Sequence, residues 1–206
     1  MRGKFIVIEG GDGAGKDTQI ELLKKEFNGE KFLYTREPGG TALGKELRDI
    51  LLHEKYGQLP LLTETFLFLA DRAQHIAEVV EPALTKGVHV ISNRSWVSMV
   101  AYQIHGRDLQ HLAPLVEQAV SVIYKDTPPD LALILDLPPE LGIERQRAAG
   151  KEFDVMESMS LEARGKVRGG FLTVAKTLKQ AKVIDASRPI EEVYKDVKKA
   201  IIQAIS

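Results

Sequence analysis

The sequence contains no cysteine. Disulfides, thiolate metal sites and cysteine nucleophiles are therefore excluded. Aromatic residues are scarce, at 6% with one tryptophan, and neither sign of charge dominates: 28 Lys and Arg against 29 Asp and Glu leave a formal net charge of −1. No global basic field points to nucleic acid, so any attraction for phosphate must be local. No apolar stretch reaches membrane-spanning length. The N-terminal run Phe5-Ile6-Val7-Ile8 is too short for a secretory leader and lacks a small-residue cleavage site. The five histidines show no zinc-ligand spacing, and nothing suggests a Ser–His–Asp arrangement. These absences leave a cytoplasmic protein with neither nucleic acid nor membrane as partner.

The chain of 206 residues, 44% apolar, is long enough for one well-buried core, and its length favours a single domain over 1–206. Short, β-branched apolar runs predict strands over Phe5–Glu9, Lys31–Thr35, Val88–Ser92, Leu131–Leu137 and Lys182–Asp185. The unbroken run Leu131-Ala132-Leu133-Ile134-Leu135 suits a strand buried on both faces, hence a parallel sheet. Helical periodicity fills the gaps: 17–27, 41–52, 62–84, 95–105, 109–124, 140–149, 161–180 and 190–205. Strands alternating with helices call for a layered α/β fold with right-handed crossovers. The polar stretch Ala148–Ser160 reads as an exposed loop between two helices.

Between the first strand and first helix stands Gly10-Gly11-Asp12-Gly13-Ala14-Gly15-Lys16. Gly10, Gly15 and Lys16 fit the phosphate-loop spacing of glycine, four residues, glycine, lysine. Glycines let backbone N–H groups converge on an anion, the helix N-terminus adds a favourable field, and Lys16 supplies a point charge. A dinucleotide fingerprint would put its last glycine at Lys16 and fails on spacing. The loop predicts a site for the triphosphate of ATP from Gly10, Gly11, Asp12, Gly13, Ala14, Gly15, Lys16, Asp17 and Thr18. The template wants a hydroxyl after the lysine to ligate Mg²⁺. Asp17 stands there, and a carboxylate can serve as a metal ligand or as a helix cap.

Further motifs follow in order: Thr35-Arg36-Glu37-Pro38-Gly39-Gly40-Thr41, Phe66-Leu67-Phe68-Leu69-Ala70-Asp71-Arg72-Ala73-Gln74-His75, Ala101-Tyr102-Gln103 and Val167-Arg168-Gly169-Gly170-Phe171-Leu172. With the phosphate loop and Thr18-Gln19 they resemble the thymidylate kinases, P-loop nucleoside monophosphate kinases, over nearly the whole chain. The resemblance implies a three-layer P-loop NTPase fold with a five-stranded parallel sheet flanked by helices. It also implies a mobile lid at about 145–160 and a homodimer. The activity implied is transfer of the γ-phosphoryl of ATP to dTMP, with Mg²⁺, giving dTDP and ADP. By the same resemblance Phe68 stacks the base, and Arg72 orients base or phosphate. Arg94 contacts the acceptor phosphate with Arg36 as second candidate. Ser98, Tyr102 and Gln103 line the nucleoside pocket, and Asp12 faces the sugar or acceptor. The spacing agrees: Phe68, Arg72 and His75 share one helical face, as do Arg94, Ser98 and Tyr102. Paired arginines suit a dianionic acceptor. The competing reading makes Phe68 core, Arg72 a solvated charge, Arg36 a partner in an exposed loop ion pair and Asp12 a turn former; His75 reads as structural.

Three positions depart from the family pattern. Asp17 replaces a hydroxyl, Asn93 in Asn93-Arg94-Ser95 replaces an aspartate, and Val155 replaces a lid arginine in Asp154-Val155-Met156-Glu157. A carboxylate lost at position 93 can be restored at 17, or both changes can mark weakened catalysis. Without the lid arginine, another cation must neutralise the transferring phosphoryl group. Candidates are Arg145, Arg147 and Lys151, with Arg164 and Arg168 further off; Arg147 is the first choice, beside Lys16 and Arg94, as a catalytic residue. A kinase for another deoxynucleoside monophosphate and a catalytically weakened nucleotide-binding paralogue remain open.

Overall fold

In the computed structural model, which describes residues 2–52, 56–150 and 159–206, the apolar run before the glycine loop forms the central strand. β1 (Phe5–Gly10) is buried at every residue because parallel neighbours flank it, β3 (His89–Asn93) on one side and β4 (Leu131–Asp136) on the other. β2 (Phe32–Arg36) pairs with β3, and β5 (Ala181–Asp185) with β4, so the sheet runs 2-3-1-4-5, all parallel. β4 stops one residue short of the expected Leu137, ahead of Pro138 and Pro139, which have no N–H to give a ladder.

The pleat sorts side chains into two layers. Ile6, Ile8, Leu133 and Leu135 face Ile20 and Leu23 of α1 (Lys16–Glu26) and Val193, Val197 and Ile201 of α9 (Ile190–Ile205). Phe5, Val7 and Ala132 face Ile76, Val80 and Leu84 on the other side. There α2 (Ala42–Leu52), α3 (Leu61–His75), α5 (Trp96–Met99) and α8 (Leu161–Thr177) pack with Ile134 around Phe68, Val97 and Phe171. This is the three-layer arrangement of a P-loop fold.

The expected helix over 62–84 is not uniform. After α3, Ile76–Val80 is a π-helical turn, and α4 (Glu81–Thr85) restarts with Pro82 in its first turn. Pro82 lacks the N–H that would close onto the carbonyl at position 78, so the ladder must widen or break there. A second wide turn, Val100–Gly106, follows α5. Pro114 likewise sits in the first turn of α6 (Ala113–Ile123), after the short 3₁₀ turn Gln110–Leu112. Ser160 caps α8, its Oγ accepting from Ala163 N–H at 3.2 Å. α7 (Pro139–Ala148) completes the set.

Chain order fixes where a ligand goes. The chain leaves β1 toward β2, returns through β3 and crosses to β4, so its direction reverses around β1. Open α/β sheets bind ligands at that crevice, beyond the carboxyl ends of the strands. The glycine loop leaves β1 there.

Candidate active site

Beyond those strand ends lies a cavity of about 790 Å³. Its walls come from the loop (Asp12–Thr18), the segment after β2 (Arg36, Glu37, Pro38), and α3 (Phe68, Arg72). The end of β3 and the following helix add Asn93, Arg94, Ser98, Met99, Tyr102 and Gln103. Arg145 and Gln146 of α7 and Ser187, Arg188 and Ile190 after β5 complete it.

The loop has the backbone its glycines allow. Gly10, Gly13 and Gly15 have positive φ, and Gly15 caps α1 from the left-handed region, which L side chains adopt poorly. At Gly13 and Gly142 the loop and α7 touch backbone to backbone: a Cβ on Gly142 would fall 2.5 Å from Asp12 O, and one on Gly13 would strike Gly142. Lys16 Nζ curls back over the loop, donating to Gly10 O at 2.9 Å and Gly11 O at 2.8 Å. Burial, reinforced by Arg94, pushes its pKa down to about 7 against the pull of Asp12, Asp17 and Glu9.

Arg94 is the centre of a hydrogen-bonded cluster beside the loop. Its backbone is left-handed, with φ 74°, held by its N–H on Ile8 O and by Ser92 Oγ–H donating to its carbonyl at 2.8 Å. From there the guanidinium donates to Asp12 Oδ1 at 2.5 Å, Ser98 Oγ at 3.0 Å and Tyr102 OH at 3.2 Å. Tyr102 OH donates to Asp12 Oδ2 at 2.7 Å. The expected trio of Arg94, Ser98 and Tyr102 is thus together, but for a different reason than a shared helical face. Arg94 precedes the helix, whose N-cap is Ser95, and its side chain reaches back over it. Burial opposes ionisation of Asp12, yet Arg94 and Lys16 outweigh it and hold its pKa below the usual carboxylate value.

Phe68 and Arg72 also meet, the guanidinium carbon 5.5 Å from the ring centroid. Arg72 is 2% exposed. It donates to Phe68 O at 2.9 Å and Ser95 O at 3.0 Å, and its Nε lies 3.2 Å from Glu37 Oε2. His75 bonds Glu37 at 2.8 Å and Thr35 at 2.7 Å. Gln103 donates to Glu64 at 3.2 Å, and Arg36 reaches Asp17 at 3.4 Å. Thr18 lines the cavity beside the loop. Of the lid candidates, Arg145 lines the cavity, whereas Arg147 is exposed on the same helix and is not among the described lining residues. Arg164 donates to Gln146 at 2.8 Å, and Arg168 grips Asp136 through two bonds of 2.7 and 2.8 Å. Lys151 and Asp154–Glu157 lie outside the described residues.

Sequence reasoning missed the supports. Buried Glu9 accepts from Ser95 Oγ at 2.7 Å and Ser98 Oγ at 2.5 Å, and burial raises its pKa despite those bonds. Glu37, 1% exposed, gathers Arg72, His75 and the Tyr124 hydroxyl at 3.0 Å. Gly142 and Arg188 were also unmarked. Arg188 follows the end of β5, where the strand-end rule would have pointed to it.

A family model described as thymidylate kinase matches residues 8–197. The chain belongs to the thymidylate kinase family. A thymidylate kinase of Carboxydothermus hydrogenoformans is 42% identical over 200 residues, covering 96% of each chain. One of Pelotomaculum thermopropionicum is 43% identical over 203 residues, covering 97% of this chain and 93% of the relative. The crystal structure of thymidylate kinase from Ehrlichia chaffeensis matches with a TM-score of 0.75 at 28% identity, over 98% of this chain and all of that one. Family membership accounts for the phosphate loop between β1 and α1. Among the described residues no helix is long and apolar enough to cross a membrane.

Proposed function

We propose that this protein is a thymidylate kinase, an ATP-dependent nucleoside monophosphate kinase that moves the γ-phosphoryl of ATP to dTMP. The observation that carries the reading is one cavity joining the Lys16 loop to the Arg94 cluster. Phosphoryl transfer needs two phosphates in line, charge neutralised and water excluded, with little covalent help.

In this reading the loop amides of Gly10–Thr18 and Lys16 hold the donor. Arg94, preset by Asp12, Ser98 and Tyr102, takes the acceptor phosphate, with Arg36 as its partner. Phe68 stacks the base, and Ser98, Tyr102 and Gln103 close the nucleoside wall. Arg72 shapes that wall by fixing Phe68 and Ser95. A monophosphate dianion is already nucleophilic at neutral pH, so no general base is required. Arg145 lines the cavity and Arg147 is not among its described lining residues, which makes Arg145 the stronger candidate for the lid cation. The lid would be the segment about 145–160 of a single kinase domain.

The donor set fits a hard divalent cation: Asp17 offers a carboxylate, and the buried Asn93 Oδ1 has no hydrogen-bond partner. Mg²⁺ there would neutralise charge on the outer phosphates of ATP. Leu62 and Phe66, exposed one turn apart on α3, support a homodimer, which light scattering at the mass of a single chain would rule out.

The test is ADP release measured with dTMP, dUMP, dCMP and dGMP as acceptors. dTMP should give the highest kcat/KM. Arg94→Lys should lower it about 100-fold, because an ammonium cannot span Asp12, Ser98 and a phosphate together. Turnover with another acceptor but not dTMP would refute the reading.

A further inference from the structure

Asp17 and Asn93 are 76 residues apart in sequence and touch: Asn93 Nδ2 donates to Asp17 Oδ1 at 2.8 Å. Both line the cavity beside Lys16. Asp17 is exposed, with Arg36 3.4 Å from the same oxygen. Asn93 is 6% exposed, and its Oδ1 is a buried acceptor without a partner. Such an acceptor is costly unless something is meant to fill it. With the amide nitrogen committed to Asp17, the amide oxygen is the half of the side chain left for a ligand.

The contact obeys a charge rule. Two side chains at this distance are content when one is an anion and the other a donor. Aspartate with asparagine satisfies that, and so would a hydroxyl at 17 against a carboxylate at 93. Two carboxylates would meet with no proton between them, and one would be forced toward its neutral form. Threonine with asparagine would leave no anion for a cation.

We propose that Asp17 and Asn93 form one divalent-cation unit, with its carboxylate at the start of the helix and its amide at the end of the strand. Asp17 is the ligand, and Asn93 is a positioning residue. Its amide nitrogen aims the carboxylate, and its buried oxygen accepts from the cation's water shell. The pair is thus a working metal site and not a relic of lost catalysis. This rests on the loop binding nucleotide, as proposed above.

The experiment titrates Mn²⁺ into the whole protein saturated with ADP, following the free ion by electron paramagnetic resonance. Asp17→Thr should weaken Mn²⁺ binding by about tenfold or more, and Asn93→Ala by about tenfold, the size of effect typical of groups that orient metal ligands. The double variant Asp17→Thr, Asn93→Asp should return to within about threefold of the parent, a large departure from additivity. Unchanged affinity in Asp17→Thr, or a double variant no better than Asp17→Thr, would overturn the proposal. ADP binding in EDTA is measured alongside. If a single variant loses that as well, the pair supports the loop and not a cation, and the proposal also falls. If the parent itself binds no ADP, it is the nucleotide reading that fails.

Discussion

At Lys16 two effects compete. Burial and Arg94 disfavour the ammonium and bring its pKa to about 7, while a bound polyphosphate would favour it. The sign follows. At pH 8 the amine is mostly neutral in the free protein and protonated beside phosphate, so ADP binding takes up a proton, and affinity falls as pH rises through about 7. Calorimetry at pH 8 in two buffers of different ionisation enthalpy should show uptake approaching one proton, and Lys16→Ala should abolish it. Equal heats in both buffers would contradict the assignment. Arg94 illustrates how much a single residue's backbone matters. Its left-handed φ is an uncommon conformation for a side chain of its size. Its flanking bonds to Ile8 and Ser92 fix the direction in which its guanidinium emerges.

The elements divide into those the sequence announced and those it did not. The central strands β1, β3 and β4 were legible as apolar runs buried on both faces, and the half-exposed edge strands β2 and β5 as short β-branched or aromatic runs between helical segments. The phosphate loop was legible because few other structures place three glycines and a lysine between a strand and a helix. The wide turns at 76–80 and 100–106 were not legible, because periodicity cannot distinguish a 3.6-residue turn from a locally widened one. Nor was the bond from Asp17 to Asn93, which depends on how α1 approaches the end of β3. Glu9 and Glu37 carried no role in the sequence, yet each is a buried hub, and only the fold tells which charges go inside. The contact of α7 with the loop belongs to the same class. Gly142→Ala should push α7 off Asp12, costing about 1–3 kcal/mol of stability and raising KM for ATP more than KM for dTMP. Thermal denaturation with steady-state kinetics checks both, and an unchanged KM for ATP would show that the contact does not shape the loop.

Across the whole molecule, the Lys16 loop and the Arg94 cluster share one crevice because the chain reverses direction around β1. The loop hangs from β1 and α1, the Arg94 cluster from β3 and the helix after it. Asp12 and Arg94 join the two sides through a bond of 2.5 Å. The most direct measurement follows the phosphoryl group itself, using ATP labelled at the γ-phosphate with dTMP as acceptor. The label should appear in the β-phosphate of dTDP, one dTDP for each ADP, and should vanish in Lys16→Ala. Label released as inorganic phosphate, or retained on ATP while dTMP is bound, would contradict transfer across this cavity.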